Sequence, residues 1–385
     1  MPLAPAQSEI TADQLLLIET TRKFARDELL NRDRAWDVDE SSVAEVLPRL
    51  AEMGLLALGI PENEGGLGAS YRMYAALIHE LAVFSPSTAV TVAVHNMVGR
   101  IIHKFASEPL RTERLREWGT AESFGAFALS EANAGSDASG IRATAKRVPG
   151  GYRLNGEKMW ITNGMHARWF FTTVRVEGVN STESLCSFLV DGNEPGIERT
   201  KITGKLGIRG SETAVVHYQD VFVPEAHMIG KPGQGLAVSL PSLNEGRVGI
   251  AAQASGIAEA CLEEMTSYAR TREQFKQPIG KFQAVAAMIA DSVVELEAAR
   301  ALVWRAAASI DSGHANRSAC SMAKLYASEA ANRIAYRAIQ VHGGAGYVHE
   351  CRVEQLYRDA RITTIYEGTS EIQRMVIARE LGAVA

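Results

Sequence analysis

The sequence has 385 residues, 46% of them hydrophobic and 22% charged, with a net charge of −5 at pH 7. This composition is typical of a globular protein with substantial cores, and the negative charge argues against a protein that coats nucleic acid. The 4 cysteines are scattered, with no C-x-x-C pair, which indicates reduced thiols rather than a disulfide framework or a zinc site.

The N-terminal segment MPLAPAQSEITADQ contains neither an apolar signal core nor an arginine-rich transit pattern. No uninterrupted apolar run in the sequence approaches the length of a membrane-spanning helix. We therefore expect a cytoplasmic protein without membrane insertion, and a mature chain of the mitochondrial matrix is the alternative.

Three zones of different character indicate three domains, at residues 1–120, 121–231 and 232–385. In the first zone, apolar residues recur at helical spacing, and a Pro/Gly loop at 59–70 separates two helices. A loop followed by a buried helix is expected at 83–102.

The second zone contains short apolar runs punctuated by glycine, which predict strands. A hairpin is expected at 148–156, and strands at 169–176, 184–190 and 213–224. Several short strands of this kind predict a small β-barrel or sandwich.

The third zone returns to helical periodicity. Four amphipathic segments are expected to be helices: Ile250 to Tyr268, Val285 to Val303, Leu325 to Ile339, and a segment after Ile372. Four such helices predict a four-helix bundle. The expected fold class is therefore mainly α with one β-domain.

Several kinds of chemistry have no motif in this sequence. There is no G-x-G-x-x-G after a predicted strand, no Walker loop, no H-E-x-x-H and no G-x-S-x-G. The 9 histidines are dispersed, so we expect no metal site and interpret His342 and His349 as structural or hydrogen-bonding residues. An enzyme with this sequence needs a cofactor that is held by another architecture.

Two motifs of the second zone could bind a ligand. FALSEANAGSD (127–137) is a strand-like run followed by a small-residue turn, which suits polar ligand edges or phosphates, although a solvated turn has the same composition. KMWITNG (158–164) places Trp160 and Thr162 on one face of a strand. That motif alone is equally compatible with a core tryptophan and an edge threonine.

These two motifs belong to an ordered set of six, which ends with KLGIRGSET (205–213), RTREQF (270–275), QVHGGAGY (340–347) and RDARITTIYEGTSEIQR (358–374). Together they resemble the acyl-CoA dehydrogenase family of FAD flavoproteins over essentially the whole chain. The resemblance implies an N-terminal helical domain, a middle β-barrel and a C-terminal four-helix bundle. It also implies FAD, a homotetramer, oxidation of an acyl-CoA to the trans-2-enoyl-CoA, and electron-transfer flavoprotein as the electron acceptor.

The resemblance also implies which residues contact FAD. They are Phe127, Leu129, Ser130, Ser136, Trp160, Thr162, Arg272, Phe275, Gln283, Gln340, Gly343, Gly344, Thr369 and Glu371. Trp160 is expected to pack against the ring system and Thr162 to bind near flavin N5. Six of these residues are expected to reach the FAD of a neighbouring subunit: Arg272, Phe275, Gln283, Gln340, Gly343 and Gly344.

Acyl-CoA contacts follow from the same resemblance. They are assigned to Ser136, Asn244, Arg247, Tyr366, Gly368 and Arg379. Many relatives carry Asp where Asn244 stands.

The stretch IYEGTSEIQR (365–374) places Glu367 on a turn before a helix. Gly368 lets the chain bend tightly, and Ser370 with Gln373 predicts a capping box, so the helix is expected to begin near Ser370. By resemblance, Glu367 is the base that removes the α-proton, and its backbone N–H binds the thioester oxygen. Burial in an apolar pocket is expected to raise its pKa.

Two other acids compete with Glu367 for the role of the base. Glu371 lies at the helix N-terminus, where the dipole stabilises its ionised form and makes it a weaker base. Some relatives place the base directly before the arginine of LNEGR (243–247), which is Gly246 here. Glu245 is one residue away, about 100° around a helix, and is interpreted as a surface or capping acid.

Alternatives to a dehydrogenase remain at this point. They are an acyl-CoA oxidase, an enzyme for another acyl thioester or a nitroalkane, and a non-enzymatic helical lipid-binding protein. For the substrate, the helix at 88–98 has medium-sized apolar residues and no Arg or Lys, and Ser87 stands where the glutaryl-CoA enzymes carry an arginine. We therefore expect a short, uncharged acyl chain, either straight or branched.

Overall fold

The computed structural model describes residues 11–179, 184–313 and 316–383. Two helical regions flank a central β-sheet in sequence, so the predicted fold class is confirmed. The first ten residues, on which the expectation about the N-terminal segment depends, lie outside the described ranges. Within these ranges, no helix is long and apolar enough to cross a membrane.

The N-terminal region consists of six helices. They are α1 Ala12–Phe24, α2 Leu30–Asp39, α3 Leu47–Glu52, α4 Tyr71–Phe84, α5 Pro86–Phe105 and α6 Glu108–Trp118. The predicted helix at 83–102 corresponds to α5, with a one-residue break before it. Ser85 makes this break, since its hydroxyl accepts from Thr88 N at 3.2 Å and donates to Asp33 at 2.6 Å, and Pro86 then occupies the first helical position.

The middle region contains eight strands. They are β1 Gly125–Ala128, β2 Thr144–Val148, β3 Gly151–Thr162, β4 Trp169–Val176, β5 Leu185–Asp191, β6 Ile197–Lys201, β7 Thr213–Pro224 and β8 Met228–Ile229. The strand order is β6-β7-β3-β2-β4-β5-β8, and β1 pairs with β4 in parallel. The predicted hairpin is the β2–β3 pair, in which Val148 lies opposite Gly151.

The predicted closed barrel is wrong, because this sheet is open. The two end strands of the pairing order, β6 and β8, do not pair with each other among the described residues. Strand β8 is only two residues long. It pairs with Ser187 and Phe188 of β5 and extends the edge of the sheet very little. The β2–β4 junction is also weak, with two paired positions, so the sheet is not continued into a cylinder.

The C-terminal region is a bundle built on three long helices. Its elements are α7 Gly235–Thr271, the hairpin β9 Glu273–Gln274 and β10 Gln277–Pro278, α8 Gln283–Asp311, α9 Arg317–His342, α10 Arg352–Ile362 and α11 Ser370–Glu380. The short α10 was not predicted, although its buried Val353, Leu356 and Ala360 lie at helical spacing. The predicted stripe on α8 is only partly covered: Leu296 and Val303 are buried, whereas Val293 is 42% exposed.

One large hydrophobic core runs through α4, α5 and the three long helices, and the sheet has a core of its own. A third cluster joins the two regions, with Met97 and Val98 of α5 against Trp169 and Phe171 of β4. The middle of α5 therefore lies where α4, α7 and the sheet meet.

Candidate active site

Glu367 lies on the turn between α10 and α11, and its backbone is in the left-handed region with φ +54°. Gly368 follows with φ +89°, so two consecutive residues are left-handed. This conformation is costly for a residue with a side chain and must be held by its surroundings. Gln373 Nε2 donates to the Glu367 carbonyl at 3.1 Å and to the Gly368 carbonyl at 2.8 Å, and Lys324 Nζ donates to the Gly368 carbonyl at 2.8 Å.

The predicted capping box of Ser370 and Gln373 is wrong, although α11 does begin at Ser370. Thr369 is the N-cap, and its hydroxyl accepts from Ile372 N at 3.3 Å. Gln373 points back to the preceding turn, as the hydrogen bonds above show. The side chain that was expected to cap the helix therefore stabilises the turn that carries Glu367.

The Glu367 carboxylate lies against a glycine of α7. A Cβ on Gly246 would lie 2.7 Å from Glu367 Oε2 and 3.0 Å from Met97 Sδ. Glu367 as a residue is half-buried, yet Oε2 is inaccessible to water and has no hydrogen-bond partner among the described residues. Burial raises the pKa of Glu367 to about 7, against the opposing effect of the Arg247 and Lys324 charges. The position that some relatives use for the base therefore lies beside Glu367.

Arg247 connects α7 to the same turn. Its Nη1 donates to Asn244 at 2.6 Å and to Ser321 at 3.2 Å, and its Nη2 lies 3.9 Å from the position of a Cβ on Gly368. The predicted acyl-CoA residues Asn244, Arg247, Tyr366 and Gly368 thus lie near Glu367. Ser136, on the turn after β1, and Arg379, in the last turn of α11, are exposed and more peripheral.

A small apolar cluster adjoins the turn. It consists of Val90, Val94, Ile208 and Ile250, with Phe127, Ile362 and Tyr366 packed against it. A polar contact lies next to this cluster: the Tyr366 hydroxyl donates to Gln253 Oε1, and Gln253 Nε2 donates to the Pro86 carbonyl at 2.8 Å. The cluster therefore ends at a fully buried, hydrogen-bonded glutamine.

The interpretation of Glu245 as a surface or capping acid is wrong. Glu245 lies within α7, its side chain is 15% exposed, and its carboxylate accepts from Tyr71 and from Lys104. Arg100 Nε lies 3.8 Å from Glu245 Oε2, and the Arg100 guanidinium lies 4.2 Å from the centre of the Tyr74 ring. Glu245 is therefore held by cations and a hydroxyl between α4, α5 and α7.

The two ligand motifs of the sheet lie side by side. Met159 N donates to the Ser130 carbonyl at 2.9 Å, and buried Lys158 donates to the Leu129 carbonyl at 3.0 Å and to Glu131 at 2.8 Å. Phe127, the aromatic residue of the first motif, stacks on Phe171 of β4.

Trp160 and Thr162 do not follow the simple strand alternation that was assumed. A register shift lies between Lys158 and Ile161, and Trp160 itself has φ +64°. The bulge leaves the Trp160 side chain 58% exposed, whereas Thr162 is half-buried. An exposed indole on a bulge is a surface that a planar ligand can cover.

The other predicted cofactor residues lie at one end of the bundle. Tyr268 near the end of α7 stacks on His342 at the end of α9, with ring centres 4.3 Å apart. His342 Nδ1 bonds to the Ala338 carbonyl, so its predicted structural role is confirmed. The exposed residues at this end are Arg272, Phe275, Gln283, Gln340, Gly343 and Gly344. Thr369 and the exposed Glu371 belong to the turn that carries Glu367 and to α11. Hydrogen bonds to the Glu371 backbone N–H and to Thr369 lower the pKa of Glu371.

His349 is exposed and lies with Asp37 and Glu354 in a group whose side-chain oxygens and nitrogens are within 4.8 Å of one another. The Arg358 guanidinium donates to both carboxylates, at 2.8 Å to Asp37 and 2.6 Å to Glu354. Arg358 therefore offsets part of the negative charge of this group, and Arg209 lies 3.9 Å from Asp37 as a second cation.

The described residues fit a large planar cofactor with phosphates. Two aromatic side chains, Trp160 and Phe275, are 58% and 87% exposed. No heavy atom lies within 4 Å of a Cβ placed on Gly343 or Gly344, so a ligand can approach that backbone closely. The cofactor residues also include donors suited to phosphates, such as the Arg272 guanidinium.

Comparisons with known proteins cover nearly all of the chain. Residues 11–122 match the acyl-CoA dehydrogenase N-terminal domain, residues 126–221 the middle domain and residues 233–382 the C-terminal domain. An acyl-CoA dehydrogenase of Bacillus subtilis (strain 168) is 38% identical over 373 residues, which cover 97% of this chain and 98% of that protein. The mitochondrial short-chain specific acyl-CoA dehydrogenase of Homo sapiens is 39% identical over 375 residues, covering 97% of this chain and 91% of that protein.

Two solved structures are similar over nearly the same length. Butyryl-CoA dehydrogenase from Megasphaera elsdenii has a TM-score of 0.94 at 33% identity, covering 97% of this chain and 99% of that chain. A glutaryl-coenzyme A dehydrogenase in complex with glutaryl-CoA has a TM-score of 0.93 at 32% identity, covering 98% of this chain and 97% of that chain.

Proposed function

Because this chain belongs to the acyl-CoA dehydrogenase family, we propose that it oxidises a short, uncharged acyl-CoA thioester to the trans-2-enoyl-CoA with Glu367 as the base. The family is FAD-dependent, and the chain is accordingly a flavoprotein oxidoreductase that acts on a CH–CH group. Bound FAD supplies the acceptor for the β-hydride. The observation that carries the proposal is the buried Glu367 Oε2, which has no hydrogen-bond partner among the described residues and lies next to an apolar cluster.

The Glu367 carboxylate can accept a proton near neutral pH. A free glutamate has a pKa of about 4.3 and would be a weak base. Burial raises the pKa of Glu367 to about 7, which suits proton abstraction near that pH. Since Oε2 has no hydrogen-bond donor among the described residues, no contact needs to be broken before the proton is taken.

The same residue offers a donor to the thioester. In the described part of the chain, the Glu367 backbone N–H donates to no protein acceptor. An N–H group held by a rigid turn can stabilise the negative charge that develops on a thioester oxygen as the α-proton leaves. Lys324 and Gln373 bind the carbonyls of this turn and so hold the peptide that follows the Glu367 N–H.

The acyl chain is proposed to lie in the apolar cluster next to Glu367. The Tyr366–Gln253–Pro86 contacts close this cluster with polar groups that a long chain would have to displace. The fully buried Gln253 and the cluster of valines and isoleucines therefore favour a short chain over a long one.

A carboxylated substrate such as glutaryl-CoA is not favoured. Ser87, at the N-terminal end of α5, is a buried hydroxyl rather than a cation. Arg100, a buried cation of α5, lies about 20 Å further along this helix, beside Glu245 and stacked on tyrosine rings. An anionic acyl end beside Ser87 would therefore be desolvated without a cation of α5 as its partner.

The assembly and the electron acceptor are part of the proposal. We propose a homotetramer in which six exposed residues complete the cofactor site of a neighbouring subunit: Arg272, Phe275, Gln283, Gln340, Gly343 and Gly344. We also propose that electron-transfer flavoprotein accepts the electrons. Light scattering of the wild type, and the FAD content of Arg272→Ala and of Lys146→Ala at an exposed residue of β2, test the first point. Loss of FAD in Arg272→Ala alone supports it, and a stable FAD-loaded monomer of the wild type contradicts it.

A panel of acyl-CoA esters tests the reaction and its substrate. Butyryl- and isobutyryl-CoA should bleach the flavin under anaerobic conditions, whereas glutaryl-CoA and palmitoyl-CoA should do so at least 10-fold more slowly. Steady-state turnover should need electron-transfer flavoprotein or a dye. Hydrogen peroxide formed at an undiminished rate in air would favour an oxidase, and a colourless protein that FAD cannot reconstitute would favour a non-enzymatic lipid-binding protein.

A further inference from the structure

Lys324 of α9 is a lysine with no exposed surface at all. Buried lysines are rare, because removing an ammonium from water is costly unless it is paired and hydrogen-bonded. The contact that holds Lys324 is a 2.8 Å hydrogen bond from Nζ to the Gly368 carbonyl. The lysine is therefore directed at the residue that follows Glu367.

Two side chains hold the backbone of this turn from different helices. Gln373 of α11 donates to the carbonyls of Glu367 and Gly368, and Lys324 donates to the Gly368 carbonyl from α9. These donors fix the peptide on the C-terminal side of a left-handed glutamate. Without them, the turn could relax toward a more favourable backbone conformation and move the carboxylate off Gly246.

We propose that Lys324 is a positioning residue for the reaction: its hydrogen bond to the Gly368 carbonyl holds the turn so that the Glu367 carboxylate stays against Gly246. This inference rests on the proposed role of Glu367 as the base. Lys324 itself neither touches the substrate cluster nor accepts the α-proton.

The charges around Lys324 come from several elements. Glu367 lies on the turn, Arg247 on α7, Glu371 on α11 and Glu329 on α9 itself. Burial lowers the pKa of Lys324 to about 7, where Glu367 also titrates, so protons on the two groups are linked. A positive Lys324 favours the ionised form of Glu367, and removing that charge must raise the pKa of Glu367 further.

Three variants separate the hydrogen bond from the charge. Lys324→Met removes both, Lys324→Gln keeps an N–H donor without the charge, and Lys324→Arg keeps the charge. FAD content and thermal unfolding of each are compared with those of Lys146→Met, at an exposed lysine of β2. The readout is the pH profile of anaerobic flavin reduction by butyryl-CoA.

Lys324→Met is expected to reduce flavin about 10- to 100-fold more slowly at its best pH, because the carboxylate is misplaced. The acid limb of its profile, and that of Lys324→Gln, should move up by about one pH unit, whereas Lys324→Arg should keep the limb in place. Should Lys324→Met fail to fold, Lys324→Gln and Lys324→Arg still decide the matter. Flavin reduction at the wild-type rate in a folded Lys324→Met overturns the positioning role. An unchanged acid limb in Lys324→Gln overturns the effect of the Lys324 charge on Glu367.

The proposed function and this inference can fail separately. If Glu367→Gln still reduces its flavin at a normal rate, the assignment of the base is wrong whatever Lys324 does. If Glu367→Gln is inactive while the Lys324 variants keep the wild-type rate and profile, the base stands and the role of Lys324 is wrong.

Discussion

Gly246 and Glu367 are so close that a Cβ on Gly246 would lie 2.7 Å from the carboxylate oxygen Oε2. Real side chains do not approach an oxygen this closely, so any larger residue at 246 must displace the carboxylate or the helix. The small size of residue 246 is therefore a condition for the position of Glu367.

Gly246→Ala should slow flavin reduction by butyryl-CoA about 10- to 100-fold, since a displaced base reacts from a worse geometry. FAD binding should not change, because residue 246 belongs to none of the cofactor motifs. Ser267→Ala, at an exposed position of the same helix, is the matched control. A normal rate in Gly246→Ala would show that the carboxylate position seen here is not needed.

The raised pKa of Glu367 has a consequence for stability. A carboxyl group with a pKa of about 7 in the folded protein and about 4.3 in the unfolded chain favours unfolding as pH rises between these values. Glu367→Gln removes that cost, so its melting temperature should exceed that of the wild type by an amount that grows from pH 5 to pH 8. Thermal unfolding of the FAD-loaded proteins measures this difference. A gap that is constant or shrinks with pH contradicts the raised pKa.

Gln253 should limit the acyl chain. Gln253→Ala removes the partner of the Tyr366 hydroxyl and opens space next to the apolar cluster. The ratio of kcat/KM for octanoyl-CoA over butyryl-CoA should rise about 10-fold or more, as expected for a pocket that gains room for methylene groups. Ser255→Ala, a buried substitution two residues along α7, should leave the ratio as it is. No change in Gln253→Ala would place the acyl chain elsewhere.

The Lys158–Glu131 pair should be important for the sheet side of the site. Both side chains are buried, at 2.8 Å, and Lys158 also binds the Leu129 carbonyl of the first ligand motif. Lys158→Met leaves a buried carboxylate without its cation and should cost about 3–5 kcal/mol of unfolding free energy. Denaturant unfolding measures the loss, with the exposed Lys146→Met as control. A cost below about 1 kcal/mol would mean that backbone N–H groups alone satisfy Glu131.

Local patterns in the sequence predicted the elements well where one pattern decides the structure. The run from Trp169 to Val176 is a strand with the predicted bounds, since glycine and polar residues delimit it. The barrel was not predictable in this way, because closure depends on whether distant end strands pair. The short α10 was missed although Val353, Leu356 and Ala360 lie at helical spacing on the face that packs on α7 and α9, because the segment has only about three turns and many charged residues.

The site shows the same division between local and distant information. Gly368 next to Glu367 indicated a tight turn, but the left-handed conformation of Glu367 itself has no local signal. Gln373 was interpreted as a cap from its spacing alone, although the turn that it binds is brought there by folding. Lys324 lies 43 positions before Glu367, and only the packing of α9 reveals that it binds this turn.

The role of Glu367 is the central claim, and anaerobic stopped-flow bleaching of the flavin by butyryl-CoA tests it most directly. Glu367→Gln keeps the shape of the side chain but removes the proton acceptor, so the rate of bleaching should fall roughly 10²- to 10⁴-fold while FAD remains bound. Glu245→Gln, an acid held by Lys104 and Tyr71, should stay within about 10-fold of the wild type. Near-normal bleaching in Glu367→Gln together with a collapse in Glu245→Gln would contradict the account.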